Sequence, residues 1–301
     1  MSWWKTRYSQ IVRKFFRKSF PLWEWLGFHV TPCHFYQPVP TLRELKDGPW
    51  KNVQPAMGGI ELNEQYQINF LDTVCARFKP EYDAFGLRNP EGDLRYFAYN
   101  GSFGEVDGDV LYCMIRHFRP ARIIEVGSGW STLLSAHALK KNAEGSGRIG
   151  ELIAIEPNPH LAFLRDPILG PTRLIEAKVQ EVDRDLFENL EENDILFIDS
   201  SHVVKIGSDV NWEFFEILPR LRRGVLIHFH DIFLPDEYPE DWVKRQHLFW
   251  NEMYLLRAFL MYNTVFEVLW AGNWMKSNHA DLCKKMFRTE ASQSLWIRKT
   301  V

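Results

Sequence analysis

Three groups of residues have the types and spacing to do chemistry. The first is Gly127-Ser-Gly129, which follows the apolar run Ile123 to Val126 and opens a stretch with helical spacing through Leu133, Leu134, Ala136 and Leu139. Glycines at such a turn let the backbone approach a ligand and leave helix N-terminal N–H groups facing it. Position 132 is Thr, so the third glycine of the dinucleotide fingerprint G-x-G-x-x-G is missing. Two acids accompany the turn. Glu125 lies near the end of its own strand, and Glu156 ends the next strand, 27 residues after Gly129. A carboxylate in the latter position can accept both ribose hydroxyls of a nucleotide-like ligand. The competing reading is a βα turn that needs glycine only for packing.

Asp199-Ser-Ser-His202 and His228-Phe-His230-Asp231 are the second and third groups, each ending a strand-like run. In an open α/β sheet such ends point at the same crevice as Gly127. Asp199, His230 and Asp231 have the types for an octahedral divalent site, with His202 left as general base. On a strand, His228 and His230 face one way and Phe229 the other. These polar groups could equally cap strand ends and bind substrate without metal. Gly127-Ser-Gly-Trp-Ser is not G-x-S-x-G, so Ser131 makes no nucleophile elbow and a serine hydrolase is disfavoured. His117, His137, His160 and His279 read as structural or exposed.

The elements that must position these groups alternate regularly. Helix-like spacing covers residues 61 to 78, with Asn63 as its N-cap, and a second helix is expected over about Val110 to Phe118, ended by Pro120. After the glycine turn come strands at Leu152–Glu156, Arg173–Ala177, Asp194–Asp199 and Gly224–Phe229. Between them lie helices at Pro159–Arg165, Asp183–Leu190 and Asp209–Leu218, the last with Phe214, Phe215, Ile217 and Leu218 inward and Pro219 as its stop. A long helix, Trp242–Met261, precedes two closing strands, Phe266–Trp270 and Ser294–Arg298, separated by a short helix at Asp281–Phe287. The count predicts an α/β, Rossmann-like seven-stranded, mostly parallel sheet with helices on both faces, plus an N-terminal helical or irregular lid.

Bulk properties narrow the class. The 301 residues are 46% hydrophobic and 25% charged with net charge -3, which suits a soluble globular chain and gives no electrostatic footprint for nucleic acid. Cys33, Cys75, Cys113 and Cys283 form no C-x-x-C pair and no secreted disulfide framework, so a reducing, cytoplasmic compartment is the simplest expectation. The richest apolar run, Tyr254 to Val265, contains Arg257 and Asn263 and falls short of a membrane span. Residues 1–20 carry Lys5, Arg7, Arg13, Lys14, Arg17 and Lys18 with no acid, and Trp4, Tyr8, Ile11 and Phe15 share one helical face. This basic amphipathic helix suits peripheral contact with a membrane surface or acidic partner, or docking on its own domain. A secretory signal is not expected, because no apolar core follows the basic residues. Proline punctuates residues 21–55 among dense aromatics, an ordered connection rather than a tail.

With these residues in view, positions of about 96 to 301 resemble class I S-adenosylmethionine-dependent methyltransferases. The similarity is to the branch holding sugar and macrolide O-methyltransferases and cephalosporin-hydroxylase-like proteins. The motifs that carry it are Ile124-Glu-Val-Gly-Ser-Gly-Trp-Ser-Thr132, Ile155-Glu-Pro-Asn158, Phe197-Ile-Asp-Ser-Ser-His202 and Gly224-Val-Leu-Ile-His-Phe-His-Asp231. The resemblance implies that Glu125, Gly127 and Gly129 line the methionine and ribose end of the cofactor, together with Ser128, Ser131 and Thr132 of the same turn. It implies that Glu156 holds the ribose hydroxyls, that Val179 and Gln180 sit near the adenine, and that Asp199 lies near the methionine portion or a metal. Metal-dependent relatives carry an acid pair where this chain has His230-Asp231, so the resemblance leaves the divalent metal at Asp199, His230 and Asp231 as an expectation and not a consequence. The Asn100-to-Asp107 stretch resembles a family segment that closes over the cofactor.

The expected division is thus residues 1–95, a basic helix and lid, and 96–301, the S-adenosylmethionine-binding domain. The expected activity is methylation of a hydroxyl on a small molecule or saccharide, with His202, His230 and Asp231 as the catalytic set. The sulfonium already activates the methyl group, so the protein must align three atoms and remove a proton. Two other readings stay open: a non-catalytic methyltransferase-like module recruited through its basic helix, and a metal-dependent hydroxylase-like enzyme. Neither the acceptor nor assembly as a homo-oligomer follows from the sequence.

Overall fold

The computed structural model describes residues 3–31, 33, 36–46, 48, 50, 57–89, 95–289 and 292–301, with the side chains of 3–11, 13, 105 and 146 outside that description. The expected apolar stripe of Trp4, Tyr8 and Ile11, and the basic Lys5, Arg7 and Arg13, therefore lie outside the described residues. The chain forms two compact units, one of residues 1–53 with 239–249 and one of 54–238 with 250–301. Residues 54–95, expected to belong with the N-terminal region, fall in the second unit.

In the first unit, α1 spans Trp3–Trp25 and runs through Pro21 for one further turn. Its Trp23 indole donates to Ser19 Oγ at 3.1 Å, and Phe20 stacks on His29. The short α2, Leu42–Lys46, is fixed by a reciprocal cap: the Thr41 N–H donates to Glu44 Oε2 at 2.7 Å, and the Glu44 N–H to Thr41 Oγ1 at 3.3 Å. No described helix is long and apolar enough to cross a membrane.

The second unit begins with a helix that changes pitch: α3, Glu64–Asn69, a π-helical segment Phe70–Cys75, and α4, Ala76–Tyr82. Asn63 is not the expected cap. It adopts φ 48°, and its Nδ2 donates instead to Val268 O at 3.1 Å. Gln67, fully buried, accepts the Ala271 N–H at 2.8 Å, and Tyr82 donates its hydroxyl to Met286 O. These bonds stitch the segment to the last part of the chain, and Phe70, Leu71, Cys75 and Phe78 enter the common core.

Then α5, Glu105–Phe118, leads into the sheet. Its strands are β1 Arg122–Val126, β2 Glu151–Ile155, β3 Arg173–Ile175, β4 Ile195–Ile198, β5 Leu226–Phe229, β6 Phe266–Ala271 and β7 Leu295–Lys299. The spatial order is β3-β2-β1-β4-β5-β7-β6, with every pair parallel except the two made by β7. This is the expected seven-stranded, mostly parallel sheet. β4 and β5 are buried at every position, as continuous apolar runs covered on both faces should be. The order reverses between β1 and β4, so the crevice that receives ligands in open α/β sheets opens where Gly127 follows β1 and Asp199 follows β4.

The intervening helices are α6 Trp130–Ser146, α7 Asp185–Glu188, α8 Asp209–Trp212, α9 Glu240–Lys244, α10 Glu252–Leu260, α11 Gly272–Asn278 and α12 Ala280–Met286. The expected long helix over Trp242–Met261 is two pieces, α9 and α10, separated by residues 245–251 with His247 at φ 57°. After α8 the chain widens into a π-turn, Glu213–Ile217, and a 3-10 turn through Pro219 to Arg220. The wider turn rotates Phe215 outward, so it is exposed, whereas Phe214, Ile217 and Leu218 are buried as expected. The freed carbonyls of Leu218 and Pro219 are met by Lys299 Nζ from the end of β7.

Candidate functional site

The glycine turn is built by close approach. Gly127 sits at φ 86°, and a Cβ there would lie 2.1 Å from the carbonyl oxygen of Asp199. A side chain at this position would force the ends of β1 and β4 apart. A Cβ at Gly129 would meet no atom within 4 Å. Behind the turn, Glu125 is buried. Its Oε1 accepts the Ser131 hydroxyl at 2.5 Å, and Thr132 Oγ1 accepts the Gly129 N–H at 3.0 Å. Glu125 Oε2 and Ser128 Oγ are buried with no hydrogen-bond partner among the described residues. Burial pushes the Glu125 carboxyl up to about 8, against the pull of Ser131 and Thr132 and with added repulsion from Asp199 and Glu156. A buried acid and hydroxyl left open beside a glycine are the groups that an ammonium-bearing cofactor would satisfy.

Glu156 follows β2 and is half-buried, with its Oε1 accepting the Asn158 N–H at 2.8 Å. Gln180 lies in the 3-10 turn Val179–Glu181 and donates its side-chain amide to Gly207 O at 3.1 Å. Thus Glu125, Gly127, Ser128, Gly129, Ser131, Thr132, Glu156 and Asp199 gather around the β1 turn. Gln180 reaches the loop after β4 rather than the turn itself.

The second half of the site is a knot of acids around one imidazole. His202, at φ 59° and buried, places Nδ1 2.9 Å from Glu252 Oε2, and Nε2 3.3 Å from Asp199 Oδ1 and 3.5 Å from Asp231 Oδ2. Its backbone carbonyl accepts both the Asn251 and Glu252 N–H groups at the start of α10, and Asn251 Oδ1 accepts the Val204 N–H. Trp250 lies against the ring, centroids 4.4 Å apart. Burial works against a charge on His202, but Asp199 and Glu252 overcome it and raise the group to about 11. Asp199 is held near 2: burial would raise it, and the positive fields of His230 and His202 win.

Asp199, His202 and Asp231 offer ligand atoms that all lie within 4.8 Å of one another. The expected metal set named His230 where the structure puts His202. His230 Nε2 stands 3.7 Å from Asp231 Oδ1 and is the leading positive field on Asp199, beside the three groups. His228 and His230 do face the same way, rings 5.8 Å apart. They differ in role: His228 is sandwiched between Phe197 and Trp296, and burial pushes its pKa far down, so it is a neutral core residue. The Asn100 turn supplies the floor. Asn100 Oδ1 accepts the N–H groups of Ser102 and Phe103, which seats the Phe103 ring 4.9 Å from that of His230.

Glu252 is the site residue that sequence reasoning missed. It lies 50 residues from its partner, and its only signal is an acid in the otherwise apolar start of a helix.

Residues 124–232, from β1 past β5, match a family model described as a methyltransferase domain. An uncharacterised protein of Archaeoglobus fulgidus is 35% identical over 177 residues, 56% of this chain and 76% of that protein. Among solved structures, that of CmcI-N160 with SAH is 14% identical, covering 91% of this chain and 98% of the other with a TM-score of 0.39. The plantazolicin methyltransferase BpumL in complex with SAH is 11% identical, covering 64% and 81%, with a TM-score of 0.33. The acid-and-glycine turn after β1 and the strands β2 to β5 lie within the matched region, and residues 124–232 carry a methyltransferase domain.

Proposed function

We propose that this methyltransferase acts on a hydroxyl oxygen of a small molecule or saccharide, and that the Asp199–His202–Asp231 cluster handles the hydroxyl proton. The observation that carries the reading is the convergence of these three groups beside the Gly127 turn. Transfer forms a carbon–oxygen bond, breaks the carbon–sulfur bond of the sulfonium and releases one proton from the acceptor. The protein's part is to align the three atoms and to receive that proton.

On this reading Glu125 and Ser128 hold the methionine ammonium end, Glu156 the ribose hydroxyls, and Val179 with Gln180 the adenine side. His202 is the proton acceptor, oriented by Glu252 and by the two N–H groups that grip its carbonyl. Alone among three carboxylates, this imidazole keeps its own proton at neutral pH. Its use as a base therefore requires another positive charge to answer Asp199 and Glu252. The cofactor sulfonium is one such charge. A divalent cation would be a different route, and the donor set fits it: Asp199, Asp231 and His202 would hold it, with Glu252 orienting the imidazole from behind, and His202 would then be a ligand in place of the base. When bound it would acidify an acceptor hydroxyl.

His202→Ala should abolish turnover and leave S-adenosylhomocysteine affinity, measured by calorimetry, unchanged. Loss of both would make His202 structural. Full activity in excess chelator would remove the cation from the reading and leave the sulfonium alone to tune His202.

The first unit supports a second contact, with an anionic membrane surface through residues 1–20 and their continuation. Phe15 and Leu22 are exposed on α1 beside Lys14, Arg17 and Lys18, with Trp25 exposed at its last position and Leu26 and Phe28 just beyond. A reducing, cytoplasmic location is part of the same reading, since Cys75, Cys113 and Cys283 are buried as free thiols.

A further inference from the structure

The turn that joins Asp199 to His202 is gripped by two acids from α8 and the π-turn after it. Ser200 and Ser201 are the two residues between the ends of this turn. The Ser200 hydroxyl donates to Glu213 Oε2 at 3.1 Å. Ser201 donates twice to Asp209, its N–H to Oδ2 at 3.0 Å and its hydroxyl to Oδ1 at 2.5 Å. Asp209 opens α8 behind the N-cap Ser208, and Glu213 begins the π-turn. The two acids thus stand one helical turn apart on a single face, matched to two neighbouring serines.

Both ends of the turn are already fixed. The Asp199 N–H donates to Val126 O at 2.9 Å, which pins it to the end of β1. His202 sits at φ 59°, a conformation that residues with a side chain seldom adopt, and its carbonyl accepts the Asn251 and Glu252 N–H groups. With so little chain between fixed ends, the backbone angles of the two serines set the gap of 3.3 Å between Asp199 Oδ1 and His202 Nε2.

The grip is costly. Glu213 is wholly buried, and its Oε1 has no hydrogen-bond partner among the described residues. Burial, with repulsion from Glu252 and Asp209, pushes its carboxyl well above the ordinary range, against the opposing pull of Ser200 and His202. A leucine would fill the position without that penalty. A local rule broken at a cost in stability is what functional sites require of their supports.

We propose that Asp209 and Glu213 are positioning residues for the proton acceptor: through Ser201 and Ser200 they clamp the Asp199–His202 turn and fix the imidazole against Asp199. The clamp rests on the reading of His202 as the proton acceptor in methyl transfer.

The test follows the imidazole nitrogen-15 resonances of the full chain without ligand, with His202→Ala identifying the signals. Glu213→Leu and Asp209→Ala should each move the His202 resonances well beyond their linewidth, and the double variant should move them further. Glu213→Gln, which keeps an oxygen for the Ser200 hydroxyl, should bring them back to the wild-type position. Denaturant unfolding of Glu213→Leu should show equal or greater stability, because a buried carboxyl has gone. If that variant does not fold, Ser200→Ala removes the same bond and should move the same signals. The dissociation constant of S-adenosylhomocysteine should stay within about twofold in every clamp variant, since neither acid bonds to the Gly127 turn. Stationary His202 signals in Glu213→Leu and Asp209→Ala, or equal displacement in Glu213→Leu and Glu213→Gln, overturn the clamp. Displacement confined to variants that have lost stability overturns it as well. Absent S-adenosylhomocysteine binding in the unaltered protein would overturn the methyl-transfer reading instead, and the His202 signals report the clamp separately.

Discussion

Replacing Glu125 with Gln removes a buried acid that the cofactor's ammonium would ionise. The carboxyl is 1% exposed, with one oxygen on Ser131 and the other without a partner among the described residues. Burial lifts it from the ordinary 4.5 to about 8, a displacement worth roughly 5 kcal/mol between its two protonation states. At pH 7 about nine molecules in ten then carry the proton. A bound ammonium stabilises the carboxylate and expels it. Calorimetry of S-adenosylhomocysteine in two buffers of different ionisation enthalpy should show release of about 0.9 proton at pH 7. The dissociation constant should fall about tenfold from pH 6 to pH 7 and level off above pH 8. In Glu125→Gln the release should vanish and the slope flatten.

The same group sets a sign for stability without ligand. Between pH 4.5 and about 8 the folded protein binds the proton that the unfolded chain has lost, so stability falls as pH rises through that window. Glu125→Gln removes that fall. Proton-neutral binding, with an affinity that does not change from pH 6 to 8 in the unaltered protein, would refute the assignment of Glu125 to the cofactor's ammonium.

Further outcomes follow from other positions. Gly127→Ala must place a methyl group against the Asp199 carbonyl at positive φ, and should cost about 2 kcal/mol or more in denaturant unfolding along with cofactor affinity. Glu252→Gln should lower kcat with little change in S-adenosylhomocysteine affinity, because Glu252 positions His202 and touches no cofactor-turn residue. The raised His202 group stabilises the fold fully below its unfolded value of 6.5 and loses that contribution as pH rises through about 11, so Glu252→Gln should weaken the alkaline side of the unfolding profile. Phe15→Glu/Leu22→Glu should reduce co-sedimentation with phosphatidylserine vesicles and leave turnover in solution unchanged; equal sedimentation would remove the membrane contact.

Most of the sheet was legible because buried parallel strands are short β-branched and apolar runs ending in polar residues. Ile195 to Ile198, followed by Asp199, shows this in five residues. The convergence of Gly127, Asp199, His202 and Asp231 followed from strand direction alone. What stayed hidden depends on contacts across the chain. Nothing near Glu252 marks it as the partner of His202, and nothing local marks the Asn251 and Glu252 N–H groups as donors to the His202 carbonyl. Asn63 has the right type for a helix cap, but a distant carbonyl at Val268 competes for its side chain and wins. Choosing between His202 and His230 for the cluster required side-chain positions that a two-residue alternation cannot supply.

The tie between Asp107 and residues 292–294 bears on the order in which the protein is assembled. Asp107 precedes the first strand, while Ser292, Gln293 and Ser294 lead into the last. His228 likewise leans on Trp296 of β7. A ribosome that had released residues 1–232 would have delivered the cofactor turn with Asp199, His202 and Asp231, yet Glu252 and the supporting wall would still be inside the exit tunnel or unmade. Competence is therefore a late event in synthesis. A truncation a few residues before β7 should behave as a folding defect, even though it removes none of the residues assigned to the cofactor or to proton transfer.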